Sequence, residues 1–313
     1  MLPRTTRDVA FASRPTGELL LDLYRPAIEA PVPVIVWLHG GGWFTGDRSL
    51  APDLASHAEA IGAAIASIEY RLSGEALFPA QIVDVRDAVR HLRANAADLG
   101  IDADRVGLWG SSAGAHLAAL AGVTAHISAW PGNDVGAAAT TDDLSVQAVM
   151  AAYPPVDLER CVRDALAFRP DADPAGFPES RLLGGPPRLH QPLARSASPL
   201  THIGAAGELP PFLIAHGTSD PAVGAANSEM LHEALVAAGG ASELFLLDGY
   251  KHGFLNPGGR MEAGLSAVMD DGRLEREGTA AARARTADGD ERDALFGFDT
   301  IHRFFRTALG IAA

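Results

Sequence analysis

The chain has 313 residues, is 47% hydrophobic and carries a formal net charge of −14 at pH 7, a balance that argues against nucleic acid or anionic membrane surfaces as partners. Its one cysteine, Cys161, excludes an intrachain disulfide and a cysteine-based metal site. The opening Met1-Leu2-Pro3-Arg4-Thr5-Thr6-Arg7-Asp8 lacks a basic stretch followed by an apolar one, and no apolar run approaches membrane-spanning length, so the expectation is a cytoplasmic protein.

Taken in chain order, residues 18–24 show the partial alternation of an edge strand, which Arg25-Pro26 ends. Residues 34–38 form a continuous apolar run of the kind found in a buried parallel strand, and His39-Gly40-Gly41-Gly42-Trp43 follows where the chain leaves the sheet. Residues 50–62 read as a helix and 63–69 as the next strand. After Phe78-Pro79, Ile82, Val85, Val89 and Leu92 recur at helical spacing, with Asp84, Arg86, Asp87, Arg90 and Arg93 largely on the other faces. Gly100 closes that helix. The short apolar run 106–109 then enters Gly110-Ser111-Ser112-Ala113-Gly114, and an Ala/Leu-rich helical stretch leaves it.

The second half is less regular. Residues 146–153 read as a strand ended by Pro154-Pro155, and 212–216 as another, followed by Gly217-Thr218-Ser219-Asp220. A helix over about 227–238 leads to a strand at 243–247 and then to Asp248-Gly249-Tyr250-Lys251-His252-Gly253-Phe254. The last helix, about 298–309, carries Ile301, Phe304 and Phe305 on one side. Strands alternating with helices predict an α/β protein, a mostly parallel sheet with helices on both faces. The expectation is a single domain over 1–313, with cap-like insertions at about 123–146 and 157–205. Residues 256–295 are charge-dense and interrupted by glycine, and read as a solvated loop, a mobile helix, or a flap over the site.

Nucleophilic hydrolysis through a serine needs a nucleophile, a base, a group that orients the base, and donors for an oxyanion. The chain has a candidate for each where a strand ends, and in an open parallel sheet the carboxyl ends share one edge. Ser112 is the candidate nucleophile, because it and not Ser111 is central in Gly-x-Ser-x-Gly, a pattern of sharp strand-to-helix turns. His252, after the last strand, is the candidate base. Asp220 is the candidate orienting acid, with Asp248 and Asp157 as alternatives that also follow strands. The order Ser, Asp, His is that of α/β-hydrolases. Gly41 and Gly42 can present backbone N–H groups, and Ala113 N–H would complete an oxyanion hole. The glycines are poor candidates for a phosphate loop, since no Lys-Ser/Thr follows them. His39 reads as structural, its ring bonding backbone. Arg71 and Asp84 form either a buried pair that braces the sheet or part of a solvated face. Trp43, Tyr153, Val223 and Phe254 lie beside these segments and are candidates for either a substrate-pocket wall or the core.

These residues carry a family resemblance. His39-Gly-Gly-Gly-Trp43, Tyr70-Arg71-Leu72-Ser73, Phe78-Pro79-Ala80, Gly110-Ser-Ser-Ala-Gly114, His216-Gly-Thr-Ser-Asp220 and His252-Gly-Phe254 occur in the order seen in α/β-hydrolase carboxylesterases. The chain resembles the hormone-sensitive-lipase-like esterases and, more closely through Gly46-Asp47-Arg48 and residues 78–116, the bifunctional feruloyl/acetyl-xylan esterase group. The resemblance covers 18–122 and 208–254 closely and 145–160 loosely. It implies an α/β-hydrolase fold with Ser112, Asp220 and His252 as triad and the Gly41, Gly42 and Ala113 amides as oxyanion hole. It also implies a small-molecule ester as substrate, with no metal or organic cofactor. Residues 157–205 and 256–295 depart from the family pattern, so acetyl or feruloyl esters of carbohydrates are suggested rather than specified. An amide-bond hydrolase such as an arylformamidase uses the same triad, and a non-catalytic ligand-binding protein on a hydrolase scaffold is the reading from another class. A homo-oligomer is compatible with all three.

Overall fold

The computed structural model describes residues 4–128, 130, 144–259 and 267–312. The first half contains β1 (Arg4–Arg14), β2 (Gly17–Arg25), β3 (Val32–Leu38), α1 (Leu54–Ile61), β4 (Ala64–Ile68), α2 (Ala80–Ala94), α3 (Ala96–Leu99), β5 (Ile101–Ser111) and α4 (Ala113–Val123). The second contains β6 (Ala148–Ala152), α5 (Leu158–Phe168), α6 (Pro178–Leu183), α7 (Gln191–Ala197), β7 (Phe212–Gly217), α8 (Ala226–Ala237) and β8 (Ser242–Leu247). It closes with α9 (Arg273–Glu277), β9 (Thr279–Arg285), β10 (Glu291–Gly297) and α10 (Phe298–Ala308).

These strands form one sheet in the order β1-β2-β4-β3-β5-β6-β7-β8-β9-β10. From β4 to β8 every neighbouring pair is parallel, while β1, β2, β9 and β10 pair antiparallel at the two sides. Side chains alternate across a strand, and β3 shows the consequence. Val34, Val36 and Leu38 share a core with Ile82, Val85 and Val89 of α2 and Leu117 and Leu120 of α4. Ile35 and Trp37 share the other with Leu54 and Ile61 of α1 and Ile301 and Phe305 of α10. Helices therefore cover both faces, which is why the central strands read as unbroken apolar runs. The carboxyl ends of β3, β5, β7 and β8 share one edge, and the segments expected to carry chemistry leave the sheet there.

Two elements differ from the sequence reading. β2 is interior, paired with both β1 and β4, and β1 is the true edge. β1 gave no signal because most of its residues are exposed and only Phe11 is buried. The charge-dense stretch after His252 is neither a loop nor a mobile helix throughout: β9 and β10 form a hairpin that widens the sheet beyond β8. Its Ala280, Ala282 and Ala284 are buried in alternation with exposed neighbours. Alanine and arginine favour helices, so their pattern yields a strand only because β8 offers an open edge. Within 157–205, expected as a cap-like insertion, the chain forms the short helices α5, α6 and α7. Most of the insertion expected at 123–146 lies outside the described residues.

Asp84 on α2 is fully buried and accepts from Arg71 twice through the side chain, Nε to Oδ2 at 2.8 Å and Nη2 to Oδ1 at 2.8 Å, and once through the backbone N–H at 2.9 Å. Arg14 of β1 donates to the same carboxylate at 2.9 Å. One carboxylate thus joins the edge strand, α2 and the loop after β4. Asp84→Ala would leave a buried guanidinium without its partner, a change that costs about 3–5 kcal/mol. Equilibrium urea unfolding measures this, and a loss below about 1 kcal/mol, the range of an exposed pair, would show that the bridge does not brace the sheet.

Candidate active site

Ser112 sits between the end of β5 and the start of α4 with φ 53° and ψ −120°, a left-handed conformation that costs a non-glycine residue on the order of 1–3 kcal/mol. The flanking glycines make it attainable. A methyl group at Gly114 would lie 2.0 Å from the Leu38 carbonyl oxygen, and one at Gly110 would lie 2.3 Å from that of Gly114. Backbone meets backbone at both points, so the helix can start directly against the end of β3. Ser112 N–H donates to Ala152 O at 2.9 Å, and the residue is half-buried.

The glycine loop after β3 packs on this turn: a methyl group at Gly40 would be 3.4 Å from Ser112 Cβ. His39 shapes the loop. Its Nδ1 lies 2.7 Å from Gly40 O, its ring stacks on Tyr70 at 4.3 Å, and Tyr70 O–H donates to His39 O at 2.8 Å. Among the described residues, no acceptor pairs with the N–H groups of Gly41, Gly42 or Ala113. Ala113 opens α4, where the first amides have no partner within the helix.

Asp220 follows β7 with its side chain fully buried. Oδ1 accepts from Ala222 N–H at 2.8 Å and Val223 N–H at 2.9 Å, while Oδ2 lies 2.6 Å from His252 Nδ1 and 3.3 Å from His216 Nε2. Burial opposes the charge, but His252 and His216 prevail and hold the carboxyl well below the usual range. His252, after β8, places Nε2 2.8 Å from Ser112 Oγ. The structure thus brings Ser112, His252 and Asp220 together in one hydrogen-bonded row, with Nδ1–H directed at the carboxylate and Nε2 free to accept from the hydroxyl. The alternative acids lie elsewhere: Asp157 caps α5 by accepting from Arg160 N–H at 2.9 Å, and Asp248 is exposed on a turn.

Trp43, Tyr153, Val223 and Phe254 are all buried. Tyr153 lies 4.6 Å from the His252 ring and 4.8 Å from Phe254, so Tyr153 packs on the histidine and Phe254 packs on Tyr153. Trp43 Nε1–H donates to His116 Nδ1 at 3.2 Å, and His116 Nε2 lies 2.7 Å from Ala197 O at the end of α7. Val223 offers its carbonyl oxygen to His216 Nε2 at 2.8 Å, while His216 Nδ1 lies 2.7 Å from Ser228 Oγ. Sequence reasoning assigned no role to His116 or His216. Their available signal is spacing, each four positions from a candidate residue, Ser112 and Asp220 respectively. Cys161 is buried, burial pushes its thiol up, and it lies 3.5 Å from Asn227 Oδ1. Among the described residues, no group of three or more His, Cys, Asp or Glu side chains is arranged to hold a metal ion, and no helix is long and apolar enough to cross a membrane.

A central parallel sheet with a serine on a strained strand-to-helix turn and an acid and histidine after later strands defines the α/β-hydrolase fold. The family model described as BD-FAE matches residues 21–235, and the chain belongs to that family. Esterase LipQ of Mycobacterium tuberculosis is 35% identical over 243 residues, 76% of this chain and 54% of that protein. The chain spans about half the length of the curated relatives it matches. Among solved structures, the bifunctional GH43-CE protein of Bacteroides eggerthii aligns with TM-score 0.67 at 30% identity, over 80% of this chain and 36% of that one. A truncated carbohydrate esterase from gut microbiota aligns with TM-score 0.63 at 28% identity, over 79% and 88% of the two chains.

The buried imidazoles at the site make stability depend on pH. Burial lowers His39 and His116 each to about 4, so the folded chain keeps both neutral where the unfolded chain takes protons near pH 6.5. Between those values the unfolded state binds more protons, so stability is complete above pH 6.5 and declines as pH falls towards 4, by up to about 3 kcal/mol per imidazole. The urea midpoint is expected to fall steadily between about pH 7 and pH 5. Burial raises Glu179 to about 7, which works in the opposite sense over the same range, so the measurement is made in Glu179→Gln, where a constant midpoint would show that neither ring is held neutral.

Proposed function

We propose that this protein is a serine carboxylic ester hydrolase that works through an acyl-enzyme, with Ser112 as nucleophile, His252 as base and Asp220 as the acid that orients it. The observation that carries the reading is the row of two hydrogen bonds, 2.6 Å and 2.8 Å, ending at the hydroxyl of the half-buried Ser112. The unpaired amides of Gly41, Gly42 and Ala113 support it, because such donors serve an anion that forms only during reaction. His252 Nε2 takes the Ser112 proton as Oγ attacks the ester carbonyl carbon. The buried, ionised Asp220 stabilises the imidazolium, and the three amides receive the oxyanion. The proton then passes to the leaving alkoxide, which departs as the alcohol. Water attacks the acyl-enzyme with His252 again as base, and the carboxylic acid leaves.

The substrates in this reading are small to medium carboxylic esters, with acetyl or feruloyl esters of carbohydrates as the narrower class. The carbohydrate esterase among the similar structures supports the narrower class. Trp43, Tyr153, Val223 and Phe254 would contribute to the pocket from beneath, by holding His252 and the glycine loop in place.

A hydrolysis profile on p-nitrophenyl esters from acetate to octanoate, with Ser112→Ala beside the wild type, tests the assignment. Wild type should turn over the short esters, and the variant should lose about 10⁴-fold or more in kcat. A fluorophosphonate should label wild type alone. Full activity in Ser112→Ala would refute the nucleophile; inert wild type with active formamide hydrolysis would move the reading to amides.

A further inference from the structure

The histidine lies beyond the matched family segment, which ends at residue 235, and it sits on a loop bounded by left-handed Gly249 and Gly253. Such a loop has little stiffness of its own. On one side it leans on the turn of Asp220, where Ser219 N–H donates to Tyr250 O at 2.9 Å. The other side is held by residues 269–277, part of the charged stretch that the family resemblance does not explain.

There the contacts bracket the histidine. Asp270 Oδ2 accepts from Lys251 N–H at 2.8 Å, and Asp270 N–H donates to His252 O at 2.7 Å. Arg273 Nη1 donates both to Asp270 Oδ2 at 3.0 Å and to Gly249 O at 2.9 Å. Its guanidinium lies over the Tyr250 ring at 3.9 Å. Glu277 completes the frame, accepting from Arg273 Nε at 2.9 Å and from Tyr250 O–H at 2.7 Å. Each residue from Gly249 to His252 is therefore tied, through main chain or ring, to Asp270, Arg273 or Glu277.

We infer that Asp270, pinned by Arg273, is a positioning residue for His252, holding the main chain on both sides of the histidine so that its ring meets Ser112 and Asp220 together. This rests on the proposed role of His252 as base. The need is geometric: the ring must satisfy two short bonds at once, and a misplacement of about 1 Å at a reacting group can cost about 10²-fold in rate. The charged stretch, outside the matched family segment, thus acts on the chemistry without touching substrate.

The test compares Asp270→Ala and Asp270→Asn in the full chain, with active sites counted by phosphonate titration and kcat expressed per titrated site. Asp270→Ala removes the acceptor for Lys251 N–H and is expected to lower kcat per site by about 10- to 100-fold, with KM changed by less than about 3-fold. Asp270→Asn keeps a side-chain oxygen there and should return to within about 5-fold of wild type. Arg273→Met leaves Asp270 in place and should lower kcat per site by about 3- to 10-fold, which keeps the test decisive if Asp270→Ala does not fold. Unchanged kcat per site in Asp270→Ala or Arg273→Met, or an equal loss in Asp270→Ala and Asp270→Asn, overturns the inference. Ser112→Ala, run alongside, separates this failure from that of the esterase reading, since only the latter fails if that variant stays active.

Discussion

The α-carbon of Gly114 rests against the carbonyl oxygens of Leu38 and His39, with no space for a methyl group between them. That contact lets α4 begin directly behind β3 and β5, bringing the end of one strand, the start of the next helix and the glycine loop to one point. Ser112 then has little choice but its left-handed backbone, with its hydroxyl lifted clear of the sheet. The amides of Gly41, Gly42 and Ala113 remain unpaired beside it for the same reason: the chain turns too sharply there to use them.

Around this point the protein uses histidine mainly as scaffold. His39 holds the glycine loop, His116 joins that loop through Trp43 to the end of α7, and His216 joins Val223 to Ser228 beside Asp220. Each is buried and bonded at a ring nitrogen, and for His39 and His116 burial keeps the ring neutral. His252 shares the Asp220 carboxylate with His216 but differs in its second partner: its Nε2 meets the Ser112 hydroxyl, whereas the other nitrogen of His216 meets Ser228 Oγ. A ring so placed lies within reach of both a proton donor and a carboxylate that stabilises the charged form, which the buried His39 and His116 rings lack.

The two sides of the sheet do unequal work. Beyond β2, the β1 edge adds area and is tied down through the Asp84 carboxylate. Beyond β8, the added hairpin and the short helix before it lie next to the histidine loop and hydrogen-bond to it. The same physics serves both sides, since a buried or partly buried carboxylate can gather several donors at once.

The sequence by itself determined the central strands, the serine turn, the glycine loop and the order of the candidate triad. Those features rest on local rules: unbroken apolar runs, glycine where backbones touch, and a strand end before each chemical residue. It did not determine β1, whose polar residues carry no apolar period, nor β9, whose alanines and arginines favour a helix until β8 presents an open edge. It named Asp220 as the candidate acid but left Asp248 and Asp157 open, since all three follow strands and only the assembled sheet brings Asp220 to 2.6 Å from His252. The roles of His116, His216 and Asp270 were hidden for a related reason. Each is defined by hydrogen bonds to segments brought close only by folding, and a hydrogen bond depends on distance and angle rather than on the identity of a neighbour in the chain.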